Sequence, residues 1–271
     1  MSINMNEHLA KKQQVVHDIF KEIKSAVVLF SGGVDSSLVL KIARQVLKKD
    51  VLAVTIDSPF IPRREIEQAE TLAKIIGVSA GSYIVTLVEL LKDPDLNLVL
   101  NPVDRCYVCK KRIFSLAREI AAQRGLACVV DGTNSQDSQL PRPGLRAARE
   151  LGIRSPLMEG GFQKDEVRAL AQELGLPNWN RPSNSCLATR FPFGEILSRE
   201  KLLRIERGEM LLTGLGLSCF RLRYHGKLAR VHASGPDQKV IMEKGLGPQI
   251  VKALRELGFE TVTLDLEEYR F

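Results

Sequence analysis

The sequence predicts an α/β protein in which a doubly wound parallel sheet is followed by a small α+β domain. Over the first two-thirds of the 271 residues, short apolar runs alternate with longer segments of helical periodicity. Such alternation is typical of a parallel sheet with helices on both faces. An irregular connector at residues 178–194, containing Pro182, Pro192 and Gly194, then precedes a change of composition. We therefore expect a large domain at residues 1–185 and a smaller domain at residues 186–271.

The predicted elements of the large domain alternate along the chain. Its strands are apolar runs bounded by polar or turn-forming residues, at 26–30, 51–56, 81–85 and 127–131, with a short one near 154–157. Its helices repeat apolar residues three or four positions apart, at 6–22, 36–47, 62–76, 104–123, 144–151 and 164–174. In the small domain we expect a helix at 198–215, strands at 219–224 and 228–232 around a tight His225-Gly226-Lys227 turn, a helix at 247–257 and a strand at 261–264.

The turn between the first strand and the second helix is the most informative segment. It reads Ser-Gly-Gly-Val-Asp-Ser-Ser from Ser31 to Ser37. A strand, a glycine-rich turn and a helix together direct backbone N–H groups and a helix N-terminus towards an anion. Gly32 and Gly33 allow the backbone to approach phosphate oxygens closely. Further hydrogen bonds can be donated by the hydroxyls of Ser31, Ser36 and Ser37. The alternative is an ordinary turn between a strand and a helix.

Two better-known phosphate loops do not fit this segment. A Walker loop requires a Gly-Lys-Ser/Thr ending, and no lysine lies between Ser31 and Ser37. The dinucleotide pattern Gly-x-Gly-x-x-Gly is absent from this turn as well.

Polar residues also follow two other predicted strands, where parallel sheets bind ligands. Asp57 and Ser58 close the second strand and would lie beside an adenosine, whereas Gly132 belongs to a turn that could equally be simple turn chemistry. Asp35 and Asp131 come close to the expected phosphate position, so one or both are candidates to hold Mg²⁺ through oxygen. Helix capping is the alternative for Asp35.

The five cysteines argue against a disulfide framework, because their number is odd and no secretory signal precedes them. Cys128 and Cys219 lie in predicted strands and are interpreted as core residues. Cys106 and Cys109 share one face at the start of a helix, which fits a cluster ligand pair, a redox pair or half of a zinc site. Cys186 lies in the connector and completes a set of three only if the fold brings it near.

Composition restricts the classes of protein that need to be considered. The hydrophobic content of 44% suits a globular protein, and no run approaches the roughly 20 apolar residues of a membrane span. The N-terminal residues lack the apolar core of a signal peptide, so we expect a cytoplasmic protein without a membrane partner. The net charge of +7 is spread over both domains and suits anionic small molecules as well as nucleic acid, but it does not indicate an RNA-binding tail.

The segment from Ser31 to Ser36 resembles the pyrophosphate loop of the ATP pyrophosphatases, which cleave ATP between its α and β phosphates and transfer AMP to a substrate oxygen. Nearly the whole chain resembles the LarE sulfur transferases of nickel-pincer nucleotide cofactor synthesis. The motifs that carry the resemblance are residues 31–36, 142–145 beginning at Arg142, 168–180, Ser185-Cys186, 190–194 and 221–225. The resemblance implies an adenine nucleotide alpha hydrolase-like fold for residues 1–185 and a substrate or oligomerisation role for residues 186–271.

The LarE resemblance also implies a reaction. ATP activates a carboxylate of pyridinium-3,5-biscarboxylic acid mononucleotide, and a protein sulfur then displaces AMP to give a thiocarboxylate. Cys186 matches the sulfur-donating cysteine, which becomes dehydroalanine in single-cysteine members. Because Cys106 and Cys109 are also present, the chain is similar to the three-cysteine members, in which the three thiolates hold a 4Fe-4S cluster with an extra sulfide.

Further expectations come from the same resemblance. Arg221 and Arg223 match positions near the substrate phosphate, with a surface salt bridge as the alternative. Glu209 matches a metal-site acid of the family, whereas His232 stands where the family has a second acid. The family implies ATP and Mg²⁺ as cofactors, sulfide or another sulfur donor as co-substrate, no nucleic-acid partner, and a homo-oligomer, often a hexamer.

Three competing interpretations remain open at the level of sequence. A tRNA thiolase also combines a pyrophosphate loop with cysteines, but it predicts an RNA-binding appendage and a basic stripe. An amidating synthetase of the NAD or GMP type would require an ammonia source and no cysteine trio. A nucleotide sensor would bind ATP without converting it to AMP and pyrophosphate.

Overall fold

The structure is a computed structural model, and it describes residues 5–139, 143–182 and 184–269. The resemblance at Arg142 lies outside these residues. The chain divides into two compact units. The first contains residues 1–58, 63–88 and 104–181, and the second contains residues 59–62, 89–103 and 182–271. The domain boundary between residues 185 and 186 stays a prediction.

The first unit is built on a four-stranded sheet in which every pairing is parallel, with the order β3-β2-β1-β4. The strands are β1 (Ala26–Leu29), β2 (Val51–Asp57), β3 (Tyr83–Leu87) and β4 (Cys128–Val130). The helices are α1 (Met5–Ile23), α2 (Val34–Leu47), α3 (Arg63–Ile76), α4 (Arg105–Gln123), α5 (Pro143–Glu150), α6 (Pro156–Glu159) and α7 (Lys164–Glu173). The predicted α/β class and parallel sheet are confirmed.

Both faces of this sheet are covered. Alternate strand residues, among them Val28 and Ala53, join a core cluster with apolar residues of α1, α2 and α7. Their neighbours Val27 and Val54 point to the opposite face and are also fully buried. Helix α4 packs against β1 and β4. Burial on both faces explains why these strands are continuously apolar rather than alternating.

The prediction of a short strand near residues 154–157 is wrong beyond Arg154. Arg154 forms a single parallel bridge with Val130, after which the chain enters α6. Pro156 has no N–H group to donate to a ladder and favours the first turn of a helix, so strand pairing stops there.

The second unit contains a three-stranded sheet with the order β5-β6-β7. Its elements are α8 (Arg199–Gly214), β5 (Phe220–His225), β6 (Leu228–Ala233), α9 (Gly235–Glu243), α10 (Gly247–Glu256) and β7 (Thr261–Leu264). β5 and β6 are antiparallel around the expected turn, whereas β6 and β7 are parallel. The sequence prediction missed α9. No helix in the described part of the chain has the length and apolar character needed to cross a bilayer.

Candidate active site

The loop from Ser31 to Ser37 connects β1 to α2, as the sequence predicts. Its hydroxyls organise the turn: Ser36 Oγ donates to Gly33 O at 3.1 Å and lies 3.2 Å from Ser31 Oγ. Gly33 is the N-cap residue of α2 and, being a glycine, has no side chain that could accept from the first-turn N–H groups. These N–H groups therefore retain the positive partial charge that favours an anion.

Two glycines allow this loop to pack closely against its neighbours. Gly32 has φ +74°, and a Cβ there would lie 3.1 Å from Ala69 Cα. A Cβ on Gly132, which follows β4, would lie 2.7 Å from Ser36 N and 2.9 Å from Ser36 Cα. Both contacts involve backbone atoms, so Gly132 is required for the loop to approach the end of β4.

Two residues that were not among the predicted site residues donate hydrogen bonds to the Asp35 carboxylate. The Asn134 side-chain amide donates to Asp35 Oδ1 at 3.0 Å, and Lys164 Nζ donates to Asp35 Oδ2. Lys164 begins α7, 129 positions after Asp35. Because such a separation leaves no local pattern in the sequence, only the fold reveals this pair.

Asn178 is a third contact that the sequence did not reveal. The residue is 6% exposed, and its side-chain amide donates to Gly32 O at 2.9 Å and to Ser37 Oγ at 3.0 Å. Ser37 itself is fully buried, so its hydroxyl supports the loop from within. Asn178 lies in the segment 168–180, one of the motifs that carried the family resemblance.

Asp131 makes hydrogen bonds to neutral donors. Its carboxylate accepts from Thr133 N at 3.1 Å, Thr133 Oγ1 at 2.7 Å and Ser155 Oγ at 2.7 Å. These bonds form a turn that stabilises the end of β4. Of the two acids considered for Mg²⁺, Asp35 is therefore the one that lies on the loop itself.

The end of β2 carries the other predicted nucleotide contacts. Both oxygens of Asp57 accept from the Arg63 guanidinium. Ser58 is 2% exposed, and its Oγ has no hydrogen-bond partner among the described residues. Buried hydroxyls are normally hydrogen-bonded, so Ser58 is a good candidate for a ligand contact.

The cysteines are distributed over both units, and none forms a disulfide. Cys106 and Cys109 lie in the first two turns of α4, where Cys106 is exposed and Cys109 half-buried. Burial raises the pKa of the Cys128 thiol. Cys128 and Cys219 are half-buried, so describing them as core residues is only partly right.

Cys186 belongs to the second unit and immediately precedes a 3-10 turn over Leu187–Arg190. The backbone of this cysteine turn is held by Arg190, whose Nη1 donates to Cys186 O at 3.0 Å and to Ser185 O at 2.7 Å. Thr189 N also donates to Cys186 O, at 3.0 Å. The cysteine is therefore presented by a turn with several fixed hydrogen bonds.

Arg190 is in turn held by Glu209 of α8. Arg190 Nε donates to Glu209 Oε1 at 2.9 Å, and Nη2 donates to Oε2 at 3.2 Å. The side chains of this pair are 0% and 3% exposed, respectively. Leu222 N also donates to Glu209 Oε1, at 3.2 Å. A cation at the predicted metal ligand Glu209 would have to compete with the Arg190 guanidinium, and the metal role stays a prediction.

Removing Glu209 is expected to destabilise the protein strongly. The Glu209→Ala variant leaves the buried Arg190 guanidinium without its carboxylate, which should lower the free energy of unfolding by about 3–5 kcal/mol. Glu200→Ala is the matched control on α8, because Glu200 is 82% exposed in its pair with Arg204 and should cost less than about 1 kcal/mol. Urea unfolding measures both. Equal losses in the two variants would contradict this account of Glu209.

Basic residues share one face of the second sheet. Arg221 and Arg223 alternate on β5, and they pair across the strands with His232 and Arg230 of β6. Arg223 and Arg230 are therefore directly opposite, and Asp265 supplies negative charge beside them, with its Oδ2 3.5 Å from Arg230 Nε. Burial and the charge of Arg230 lower the pKa of Arg223. This basic face is suited to bind a phosphate.

The surroundings of His232 on this face favour its neutral form. Burial lowers the pKa of His232. The negative charge of Asp265 raises this pKa, whereas the positive charges of Arg223 and Arg230 lower it further. Its Nδ1 lies 3.4 Å from Arg223 Nε and accepts a hydrogen bond from it. A neutral imidazole can serve as that acceptor, whereas an imidazolium cannot.

The described residues contain no group of three or more His, Cys, Asp or Glu side chains arranged to hold a metal ion. Cys106 and Cys109 belong to the first unit and Cys186 to the second, so their grouping at one metal centre stays a prediction.

Comparisons with known proteins agree with this architecture. A profile of the NAD synthase family matches residues 7–92. The chain is 37% identical to the pyridinium-3,5-bisthiocarboxylic acid mononucleotide synthase of Lactiplantibacillus plantarum, covering 97% of this chain and 93% of that protein. It is 38% identical to an uncharacterised Synechocystis protein, covering 97% and 96%, respectively. A glutamine-hydrolysing GMP synthase of Aeropyrum pernix is 31% identical, but only 41% of it is covered.

The parallel sheet and the loop between β1 and α2, together with these matches, define an ATP-dependent enzyme of the pyrophosphate-loop class. Within that class, the chain belongs to the family of the pyridinium-3,5-bisthiocarboxylic acid mononucleotide synthase, as the 37% identity over nearly the full length of both proteins shows.

Proposed function

We propose that this enzyme is an ATP-dependent sulfur transferase of nickel-pincer cofactor synthesis. Its substrate is pyridinium-3,5-biscarboxylic acid mononucleotide, whose carboxylates it converts to thiocarboxylates. The observation that carries the proposal is the likeness to the named synthase over 97% of the chain, combined with an open phosphate loop. Homo-oligomerisation and a cytoplasmic location remain predictions.

The first step activates a substrate carboxylate. A carboxylate oxygen attacks the α phosphorus of ATP, the bond between the α phosphorus and the bridging oxygen breaks, and pyrophosphate leaves with that electron pair. The first-turn N–H groups of α2 and the hydroxyls of Ser31 and Ser36 bind the phosphates. Asp57 and Ser58 contact the adenosine from the end of β2. Asp35 is the residue that would supply an oxygen ligand to Mg²⁺.

The second step forms the carbon–sulfur bond. A sulfur nucleophile attacks the activated carbonyl carbon, and AMP leaves with the electron pair of the former C–O bond. Activation must come first because carboxylate oxygen is a poor leaving group whereas AMP is a good one. The nucleophile would be sulfide held at the site that contains Cys186, so that its sulfur replaces the departing oxygen, and the turn held by Arg190 fixes the backbone of this cysteine.

Cys106, Cys109 and Cys186 are the proposed ligands of a 4Fe-4S cluster. The i, i+3 spacing of Cys106 and Cys109 on α4 supports two of these assignments, because thiolates are the usual ligands of such clusters. When bound, a cluster with an open iron would supply sulfide for transfer. Cys186 then acts as a ligand rather than as a sulfur donor consumed in each reaction.

The cluster assignment can be tested by metal analysis. Anaerobically reconstituted wild-type protein is expected to contain about four iron atoms and matching labile sulfide per chain, and Cys106→Ala is expected to lose both. Cys219→Ala serves as the matched control and should retain them. Absence of iron in the wild type would contradict the cluster and leave Cys186 as a sacrificial donor.

Arg221 and Arg223 are proposed to bind the phosphate of the substrate nucleotide. Arg223→Leu should raise the substrate Kd about 10- to 100-fold, because a charge-assisted contact is lost. The Kd for ATP should remain unchanged. Arg204→Leu on α8 is the control, since its partner Glu200 is 82% exposed. Titration calorimetry measures both ligands, and an unchanged substrate Kd in Arg223→Leu would contradict this role.

The reaction class is tested by measuring AMP and pyrophosphate with different acceptors. We expect both products in stoichiometric amounts when the biscarboxylate mononucleotide is present, and little of either with unmodified tRNA. Release dependent on tRNA would favour the thiolase alternative instead. ATP binding without release of AMP in any condition would favour a nucleotide sensor.

A further inference from the structure

The phosphate loop carries no lysine of its own between Ser31 and Ser37. The fold nevertheless brings one to it, because Lys164 Nζ reaches the carboxylate of Asp35 in the first turn of α2. That turn also presents the open N–H groups described above. The ammonium group is therefore located beside the expected position of the triphosphate.

The pair is neither fully exposed nor sealed from ligands. The side chains of Lys164 and Asp35 are 22% and 21% exposed. Asn134 donates to the other Asp35 oxygen at 3.0 Å, so both carboxylate oxygens are oriented by donors. Lys164 is thus held in a defined position at the surface of the loop and remains accessible to an anion.

A magnesium ion and the Lys164 ammonium cannot occupy the same side of the Asp35 carboxylate. When Mg²⁺ binds Asp35, the lysine must separate from that oxygen and requires another anion. The triphosphate that accompanies the Mg²⁺ provides one. A flexible lysine side chain can make this exchange by rotamer changes alone.

We propose that Lys164 is a phosphate-binding residue of the ATP site. It pairs with Asp35 in the place that a cation would take, and it transfers to the phosphates when MgATP binds. There it neutralises charge that accumulates on pyrophosphate as the bond to the α phosphorus breaks. No proton moves in this role. The inference rests on the proposed function only in placing MgATP at this loop.

Lys12 provides a useful contrast within the same unit. Its Nζ donates to Gly161 O and to both oxygens of Glu166, each at 2.7 Å, and its side chain is 19% exposed. Glu166 also accepts from Gln163 N as part of a capping box. The Lys12 pair therefore has a structural explanation, and its exposure closely matches that of Lys164.

The test compares Lys164→Met, Lys164→Arg and the control Lys12→Met. Lys164→Met should raise the Kd for MgATP about 10- to 100-fold and leave the Kd for adenosine unchanged, because adenosine has no phosphates. Lys164→Arg should recover part of the affinity by retaining the charge. Lys12→Met should keep the wild-type Kd for both ligands. Unfolding midpoints establish that each variant is folded at the assay temperature.

Two outcomes would overturn the inference. One is wild-type MgATP affinity in Lys164→Met, which would leave only a structural ion pair. The other is an equal loss of adenosine and ATP binding, which indicates a distorted loop. Both differ from a failure of the proposed function, in which the wild type would bind ATP but release no pyrophosphate with the biscarboxylate substrate.

Discussion

Replacing Cys186 by alanine is expected to lower thiocarboxylate formation by about 10³-fold or more, with ATP binding and pyrophosphate release preserved. The variant loses the sulfur that attacks the activated carbonyl, or the ligand that retains the sulfur-carrying cluster. In the proposed mechanism, activation of the carboxylate depends instead on the loop between β1 and α2. The two half-reactions should therefore separate in this variant.

Product analysis by mass spectrometry measures the thiocarboxylate, and a coupled assay measures pyrophosphate. Cys219→Ala is the matched control, because Cys219 is a half-buried thiol of the same unit and has no assigned role. It should retain wild-type rates of both reactions. Normal thiocarboxylate formation in Cys186→Ala would contradict the sulfur-transfer role of this residue.

Gly132→Ala should weaken ATP binding by about 10-fold or more. The added Cβ would lie 2.7 Å from Ser36 N, so either the end of β4 or the first turn of α2 must move. Because Ser36 N belongs to the anion-binding turn, even a small shift disturbs several phosphate contacts together. Overpacking of this kind also lowers the free energy of unfolding by about 1–3 kcal/mol.

Gly81→Ala is the control for this prediction, since its Cβ would meet no atom within 4 Å. Its ATP affinity should equal that of the wild type. Calorimetric titration should be performed below the unfolding midpoint of each variant, so that binding is measured on folded protein. Wild-type ATP affinity in folded Gly132→Ala would show that this close contact does not support the site.

The parallel sheet was predictable because buried strands leave continuous apolar runs, and β1 and β2 began where those runs began. The loop was predictable because all of its residues are adjacent in the sequence. A phosphate-binding role for this loop could therefore be predicted from the sequence, and that role stays a prediction. The further placement of Asp57 and Ser58 followed from the rule that parallel strands bind ligands at their carboxyl ends.

Lys164 and Asn178 could not be predicted in the same way, since they reach the loop from 129 and 141 positions away. The buried Arg190–Glu209 pair could not be predicted either, because no local pattern in the sequence distinguishes a buried arginine from an exposed one. The two missed helical segments did carry local signals. Ser155 precedes Pro156, and Ser234 precedes α9 with Pro236 in its first turn.

The most direct test of the account is the mass of the nucleotide product formed by wild-type enzyme with MgATP, a sulfur source and pyridinium-3,5-biscarboxylic acid mononucleotide. The account predicts that sulfur replaces oxygen in one or both carboxylates, with one AMP released for each replacement. Release of AMP with an unchanged nucleotide, or with nitrogen in place of oxygen as in an amidating synthetase, would contradict it.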